Sequence, residues 1–159
     1  MYSNDIKFMK IALKEAKKAY EKDEVPIGAV IVSNNGDIIS MAHNFVISLS
    51  DPTAHAEILA IRKAAEITNN YRLIGATLYV TIEPCIMCMG AIIHSRIEKI
   101  VFGAPDPKWG AAGSLYEFHN DKKLNHNPEI LKGIMENECR AIMQDFFKRK
   151  REKMLCKNF

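Results

Sequence analysis

Two cysteines, Cys85 and Cys88, follow Pro84 at a spacing that chance explains poorly. With six Pro and four Cys in 159 residues, a Pro-Cys-x-x-Cys motif is expected about 0.004 times. Side chains three positions apart lie on one face of a helix, where two thiolates can share a metal ion. A helix begun by Pro84 would also place both cysteines at its positive end, which favours thiolate over thiol. We therefore predict metal chemistry here.

His55-Ala56-Glu57 supplies a third ligand candidate. A His-x-Glu motif is expected about 0.4 times by chance and carries little information alone. Together with the two thiolates, however, His55 completes a ligand set that suits zinc and leaves a fourth tetrahedral position for water, which is a catalytic arrangement. Near a helix end, Glu57 could reach the same centre and transfer protons.

Other interpretations of these residues stay open. A fourth protein ligand, such as Cys139, Cys156 or another histidine, would make the metal site structural. A redox dithiol would require neither His55 nor Glu57. Without a metal nearby, Glu57 would be an ordinary exposed helix glutamate.

Length and composition predict one domain spanning residues 1–159. The chain is 48% apolar, as expected for a packed core. No segment has the apolar length of a signal peptide or membrane span, and four unevenly spaced cysteines do not form a disulfide framework. We therefore expect a soluble cytoplasmic protein without a membrane partner. Residues 140–159 carry a net charge of +5 and the rest −2, which indicates either a polyanion contact or a solvated last helix.

Hydrophobic periodicity predicts alternating helices and strands, and hence a mixed sheet covered on both faces. The predicted helices cover 5–22 with Asn4 as cap, Thr53 to about Thr68 with Thr53 as cap, 85–95 with Pro84 in its first turn, and a basic final helix from about 137. The predicted strands cover 27–32, 38–42, 76–82, 99–103 and 128–134. Residues 104–113 form an irregular loop, and Ile142, Phe146 and Phe147 are expected to face the core.

The two motifs match the known signature of the zinc-dependent nucleobase deaminases, His-x-Glu followed by Pro-Cys-x-x-Cys. The resemblance is to the bacterial members that act on tRNA adenosine and extends from about Glu24 through the final helix. The stretches that carry it are DPTAHAEI (51–58), YRLIGATLYVTIEPCIMC (71–88), GAIIHSRI (90–97) and GAAGSL (110–115).

This resemblance implies a three-layer α/β/α cytidine-deaminase-like fold with a five-stranded mixed sheet, and a homodimer. It implies one Zn²⁺ per chain on His55, Cys85 and Cys88, with Glu57 as the proton shuttle. The implied reaction is hydrolytic conversion of adenosine to inosine at the wobble position of a tRNA anticodon, that of an arginine tRNA with the anticodon ACG. Substrate-binding positions carried over by motif are Asn44, the backbone N–H of Ala56, Pro26 and Ile27.

RNA contacts are expected at Lys148, Arg149, Lys150 and Arg151, because anticodon-loop phosphates favour basic side chains. The resemblance adds Asp106, which matches a family position near the RNA backbone, and Phe147 is included with the basic residues that follow it. The metal motif is equally compatible with a deaminase of a free base or nucleoside, such as guanine or cytosine, or with a non-catalytic zinc RNA-binding module. Trp109 departs from the family pattern. Two roles are considered for the Trp109 side chain: stacking on RNA and packing at the dimer contact.

Overall fold

The computed structural model describes residues 2–157 of the chain. Its elements, in chain order, are α1 (Tyr2–Glu21), β1 (Gly28–Val32), β2 (Ile38–His43), α2 (Ala56–Thr68), β3 (Thr77–Ile82), α3 (Ile86–His94), β4 (Lys99–Ala104), β5 (Glu129–Lys132) and α4 (Glu136–Cys156), with a 3₁₀ turn at Phe118–Asn120. No helix in this part of the chain has the length and apolarity that crossing a membrane requires.

The strands form one mixed sheet in the order β2-β1-β3-β4-β5. Strand β1 is antiparallel to both β2 and β3, whereas β3, β4 and β5 run parallel to one another. The ends of β3, β4 and β5 therefore share one sheet edge with the start of β1. This five-stranded mixed sheet was predicted and is confirmed.

Helices cover both faces of the sheet. Along β1, alternate residues point to opposite faces, so Ile31 packs with α2 and α3 while Val30 packs with α1 and α4. Buried alanines of α2 bring that helix close to the sheet. The result is the expected α/β/α arrangement with a separate core on each face.

Three predicted helix starts are wrong by a few residues. Helix α1 begins at Tyr2, so Asn4 lies inside it. His55, not Thr53, is the N-cap of α2, because the Thr53 hydroxyl instead donates to Asp51 at 2.7 Å. Cys85 is the N-cap of α3, so Pro84 precedes this helix rather than lying in its first turn.

The basic final helix, α4, begins one residue before its predicted start. Phe146 is buried and Ile142, one turn earlier, packs partly against the core. Phe147 is 43% exposed, which contradicts its predicted core position, because adjacent residues point about 100° apart around a helix.

Gly28 gives a test of how closely α1 packs on β1. A Cβ atom at this position would overlap the Ala12 carbonyl oxygen and lie 2.6 Å from the Ala16 nitrogen. We expect Gly28→Ala to lower the free energy of unfolding by about 1–3 kcal/mol, because backbone atoms of α1 would have to move. Urea denaturation measures this.

Gly90→Ala is the matched control, because a Cβ atom on this α3 residue meets no atom within 4 Å. Alanine in a helix interior should leave the stability equal or raise it by up to about 1 kcal/mol. Equal unfolding free energies for the two variants would contradict the close packing of α1 on β1.

Candidate active site

Three side chains converge where α2 and α3 begin. Nδ1 of His55 lies 3.6 Å from Sγ of Cys85 and 3.5 Å from Sγ of Cys88. One ligand atom from each residue lies within 4.8 Å of the other two. The sequence predicted Cys85 and Cys88 from their spacing and added His55 from its motif, and the structure brings all three members together.

The convergence follows from the positions of two helix starts. His55 and Cys85 are both N-cap residues with extended backbone, at ψ 153° and 176°, and neither side chain caps its own helix. Their side chains are therefore free to face the metal group. Cys88 lies three residues further along the chain, inside α3, and is buried.

The geometry of this group fits a tetrahedral zinc ion. Zn–S bonds of about 2.3 Å and Zn–N bonds of about 2.0 Å place the two ligand atoms roughly 3.5 Å apart, which matches the observed distances from His55 to the cysteines. In the part of the chain that the model covers, no further His, Cys, Asp or Glu joins this group. Cys139 packs in the core on the opposite face of the sheet and Cys156 is exposed, so neither completes a structural site.

The pKa values of the two thiols are shifted in opposite directions. A hydrogen bond with Cys88 lowers the pKa of Cys85 to about 4, whereas the same contact, followed by burial, raises the pKa of Cys88. The hydrogen bond with Cys85 also raises the pKa of His55. Because metal ligands bind in their deprotonated forms, binding a metal here releases protons.

Glu57 is a buried carboxylate beside this group. It is the second residue of α2 and only 3% exposed, and its Oε2 atom has no hydrogen-bond partner. Burial raises the pKa of Glu57 to about 7. A carboxyl group that exchanges its proton near neutrality suits general acid–base chemistry. The interpretation of Glu57 as an ordinary exposed glutamate is excluded by its burial.

The predicted substrate-binding positions come from three parts of the chain and are joined by hydrogen bonds next to Glu57. The Ala56 N–H donates to the buried Oδ1 of Asn44 at 3.1 Å, and the Asn44 N–H donates to the Ile27 carbonyl at 3.2 Å. Pro26 is buried and Ile27 partly buried. The Ala56 N–H thus has a protein partner, and its role towards a purine stays a prediction.

Sequence reasoning missed Glu83, which follows β3 directly and precedes Pro84. Its buried carboxylate accepts hydrogen bonds from the backbone N–H groups of Asp106, Ala112 and Ser114 at 2.9–3.0 Å, and from the Ser114 hydroxyl. It therefore ties the 105–114 loop to the metal group. The sequence feature that could have indicated this contact is the run of small residues at 110–114, because small side chains let the loop backbone approach a carboxylate closely.

Glu24, also missed, performs the same task on the other side of the site. Its carboxylate is 1% exposed and accepts hydrogen bonds from the backbone of Ile47 and Ser48 and from the Ser48 hydroxyl. The loop held in this way leads from Asn44 towards His55. Both loops that flank the metal group are thus held by buried carboxylates.

The basic end of α4 lies at the same sheet edge as the metal group. Tyr20, near the end of α1, donates to Asp145 at 2.5 Å, and Asp23 pairs with Arg149 at 3.2 Å and Lys150 at 2.6 Å. The segment after α1 leads into β1, whose start lies beside the end of β3.

The other predicted RNA contacts are distributed around this edge. Lys148, Arg151 and Phe147 are exposed, whereas Arg149 and Lys150 are half-buried in their ion pairs with Asp23. The Asp106 carboxylate accepts backbone hydrogen bonds within its own loop, as expected for a turn aspartate.

A family model described as the cytidine and deoxycytidylate deaminase zinc-binding region matches residues 2–104. The chain belongs to this deaminase family. The predicted family is thereby confirmed, and zinc is the metal that its description names.

Within this family, the chain is similar to proteins that deaminate adenosine in tRNA. A tRNA-specific adenosine deaminase of Bacillus subtilis is 49% identical over 158 residues, which cover 98% of each chain. A solved structure from a study of A-to-I editing by tRNA:A34 deaminases is 47% identical with a TM-score of 0.82, and covers 85% of this chain and 97% of that one. A guanine deaminase from Nitrosomonas europaea shares the fold at 22% identity and a TM-score of 0.73, over 87% and 82% of the two chains.

Replacing one thiolate tests the ligand set. We expect Cys88→Ser to reduce bound zinc to well below one ion per chain, because serine replaces a thiolate by a poor zinc ligand. Metal content after dialysis, measured by mass spectrometry, reports the loss. Cys156→Ser is the control, since this cysteine is exposed at the end of α4. Full zinc retention by Cys88→Ser would contradict the assignment.

Proposed function

We propose that this chain hydrolytically deaminates adenosine to inosine at the wobble position of a tRNA anticodon, that of an arginine tRNA with the anticodon ACG. The observation that carries the chemistry is the convergence of His55, Cys85 and Cys88 beside the buried, unpartnered Oε2 of Glu57. The choice of tRNA rests on relatives at about half identity that are named for this substrate.

Zinc, when bound by these three residues, supplies Lewis-acid activation of water for hydrolysis. Glu57 then moves two protons. Its carboxylate takes the first from the attacking water and delivers it to N1 of the purine, then takes the second from the hydroxyl now on C6 and delivers it to the amino group, which leaves as ammonia. The 3% exposure of Glu57 limits competition from bulk water. Asn44 and the Ala56 N–H orient the base against the apolar wall formed by Pro26 and Ile27.

The basic end of α4 provides phosphate contacts for the anticodon loop. Lys148 and Arg151 are exposed, and Arg149 and Lys150 stay near the surface while Asp23 holds them in place. Asp106 and Phe147 complete the proposed RNA-facing set. Such contacts position a loop without reading its sequence.

Three further properties belong to the same proposal: one zinc ion per chain, a homodimer, and a cytoplasmic location, where tRNA is found. Support for the homodimer comes from exposed apolar side chains near the site. Ile47, Leu49, Ile86 and Leu115 are each at least 43% exposed, and an apolar surface of this kind is typical of a subunit contact.

A deaminase of a free base is the second candidate, favoured only by the fold that the chain shares with a guanine deaminase. A zinc-containing RNA-binding module without catalysis is the third. The buried carboxyl of Glu57, with its pKa near 7, argues against the module, since burying an unpaired carboxylate is costly and serves no purpose in passive binding.

The decisive assay incubates purified zinc-loaded protein with an unmodified arginine tRNA that carries the anticodon ACG. We expect inosine at the wobble position only, detected by nucleoside mass spectrometry. Glu57→Gln should slow its formation by about 10²- to 10⁴-fold, because proton transfer is lost.

Circular dichroism and zinc content of Glu57→Gln serve as controls and should match the unchanged protein. Parallel reactions contain free guanine and cytosine. Product from a free base but not from tRNA would replace the proposal by the second candidate, and full activity of Glu57→Gln would remove Glu57 from the mechanism.

The contribution of α4 is tested by the salt dependence of tRNA binding. Removing both exposed charges, Lys148→Ala with Arg151→Ala, should weaken binding and reduce the slope of log K against log salt by roughly 1.4 to 1.8. The control removes two exposed lysines beyond β4, Lys122→Ala with Lys123→Ala, at the opposite sheet edge. Equal slopes for the two double variants would exclude α4 from the RNA contact.

A further inference from the structure

Trp109 is the single tryptophan of the chain and is 64% exposed. A tryptophan side chain buries 150–250 Å² when it is packed and contributes strongly to binding surfaces. Its neighbours Pro107 and Lys108 are also exposed. An indole presented in this way is available to a ligand.

The backbone on both sides of Trp109 is fixed. Its own N–H donates to the Asp106 carboxylate at 3.3 Å, while the Asp106 N–H donates to the buried Glu83 carboxylate at 2.9 Å. Gly110 follows directly, and a Cβ atom there would overlap the Glu83 carboxylate. The loop that presents Trp109 is thus pre-organised, which lowers the entropic cost of binding.

The same loop places Trp109 at the rim of the metal group. Gly110 pairs with Cys85 in an isolated antiparallel bridge, and the Ala111 N–H donates to the Pro84 carbonyl at 2.9 Å. Bridged Cα atoms are about 5 Å apart and consecutive ones about 3.8 Å. The Cα atoms of Trp109 and Cys85 therefore lie within about 10 Å of each other, which puts the indole beside the position of a base bound at the metal group.

We propose that Trp109 stacks on a nucleobase that flanks the target adenosine in the anticodon loop. Unstacked loop bases are commonly recognised by stacking on aromatic side chains. The exposed Lys108 beside it supplies a positive charge for the adjoining phosphate, whereas lysine is depleted in the core of protein interfaces. This inference rests on the proposed function, since it specifies how the tRNA is held at that site.

Emission from Trp109 reports on this residue alone, because the chain has no other tryptophan. The titration uses the zinc-loaded Glu57→Gln protein, to prevent turnover, and the anticodon stem-loop of the arginine tRNA. We expect quenching on binding. A second stem-loop, abasic at the nucleotides flanking the target, should bind more weakly, as followed by anisotropy of an end-labelled RNA, and should quench less at saturation.

Kinetics on the otherwise unchanged enzyme complete the test. Trp109→Ala should raise KM by about 5- to 150-fold, the range found when a base-stacking aromatic is removed, with kcat within threefold. Trp109→Phe should recover most of the loss, because phenylalanine also stacks. Tyr71→Ala is the matched control: this aromatic is 67% exposed and precedes β3, at the sheet edge away from the metal group.

Unchanged emission on binding, or an unchanged KM for Trp109→Ala, would overturn the proposal, while inosine formation by the unchanged enzyme would leave the proposed function standing. Failure of the unchanged enzyme to form inosine would instead remove the proposed function itself. A fall in molar mass in solution caused by Trp109→Ala would assign the residue to contact with a second copy of the chain, and would likewise overturn the stacking role.

Discussion

The meeting of two helix N-termini at one sheet edge is the constraint on which the site depends. Helices α2 and α3 each begin where their preceding segment reaches this edge, and their N-cap residues are His55 and Cys85. An N-cap side chain normally satisfies its own helix. Here both are turned outward, so their metal-binding atoms meet, and the partial positive charge of two helix starts favours the thiolates. Any rearrangement of α2 against α3 would separate the ligands.

Three buried carboxylates lie around this edge, and they differ in how many hydrogen bonds offset the free-energy cost of burying them. Glu24 and Glu83 accept hydrogen bonds from backbone N–H and hydroxyl donors, which offset the cost of burying their charge. Each of the two carboxylates holds one loop beside the site. Glu57 keeps one oxygen without a partner and has a pKa raised to about 7. The carboxylates of Glu24 and Glu83 hold loops in place through several donors each, whereas Glu57, with one oxygen unpartnered, can exchange a proton. The number of hydrogen bonds that a buried carboxylate accepts thus distinguishes the two structural carboxylates from the reactive one.

The sequence predicted the order of elements through hydrophobic periodicity, and it supplied the members of the metal group through two short motifs and a family resemblance. It did not predict competing local hydrogen bonds, or contacts between distant segments that no motif marks. Thr53 is a good N-cap by type, yet Asp51 takes its hydroxyl and α2 begins later. Glu83 was missed for a different reason, because its donors lie 23 to 31 residues further along the chain. Phe147 was misplaced because two adjacent aromatics cannot both face one core.

The charges of α4 illustrate the same limit. The +5 segment at the end of the chain suggested four equivalent RNA-binding side chains, but Asp23 pairs with Arg149 and Lys150. The Arg149 guanidinium also lies 4.2 Å from the centroid of the Tyr20 ring. The side chains of Arg149 and Lys150 therefore anchor α4 to the segment at the end of α1. Of the four basic residues, Lys148 and Arg151 are the exposed ones. An RNA phosphate that binds Arg149 must compete with Asp23, so the anchoring pair contributes less affinity per charge than its position suggests.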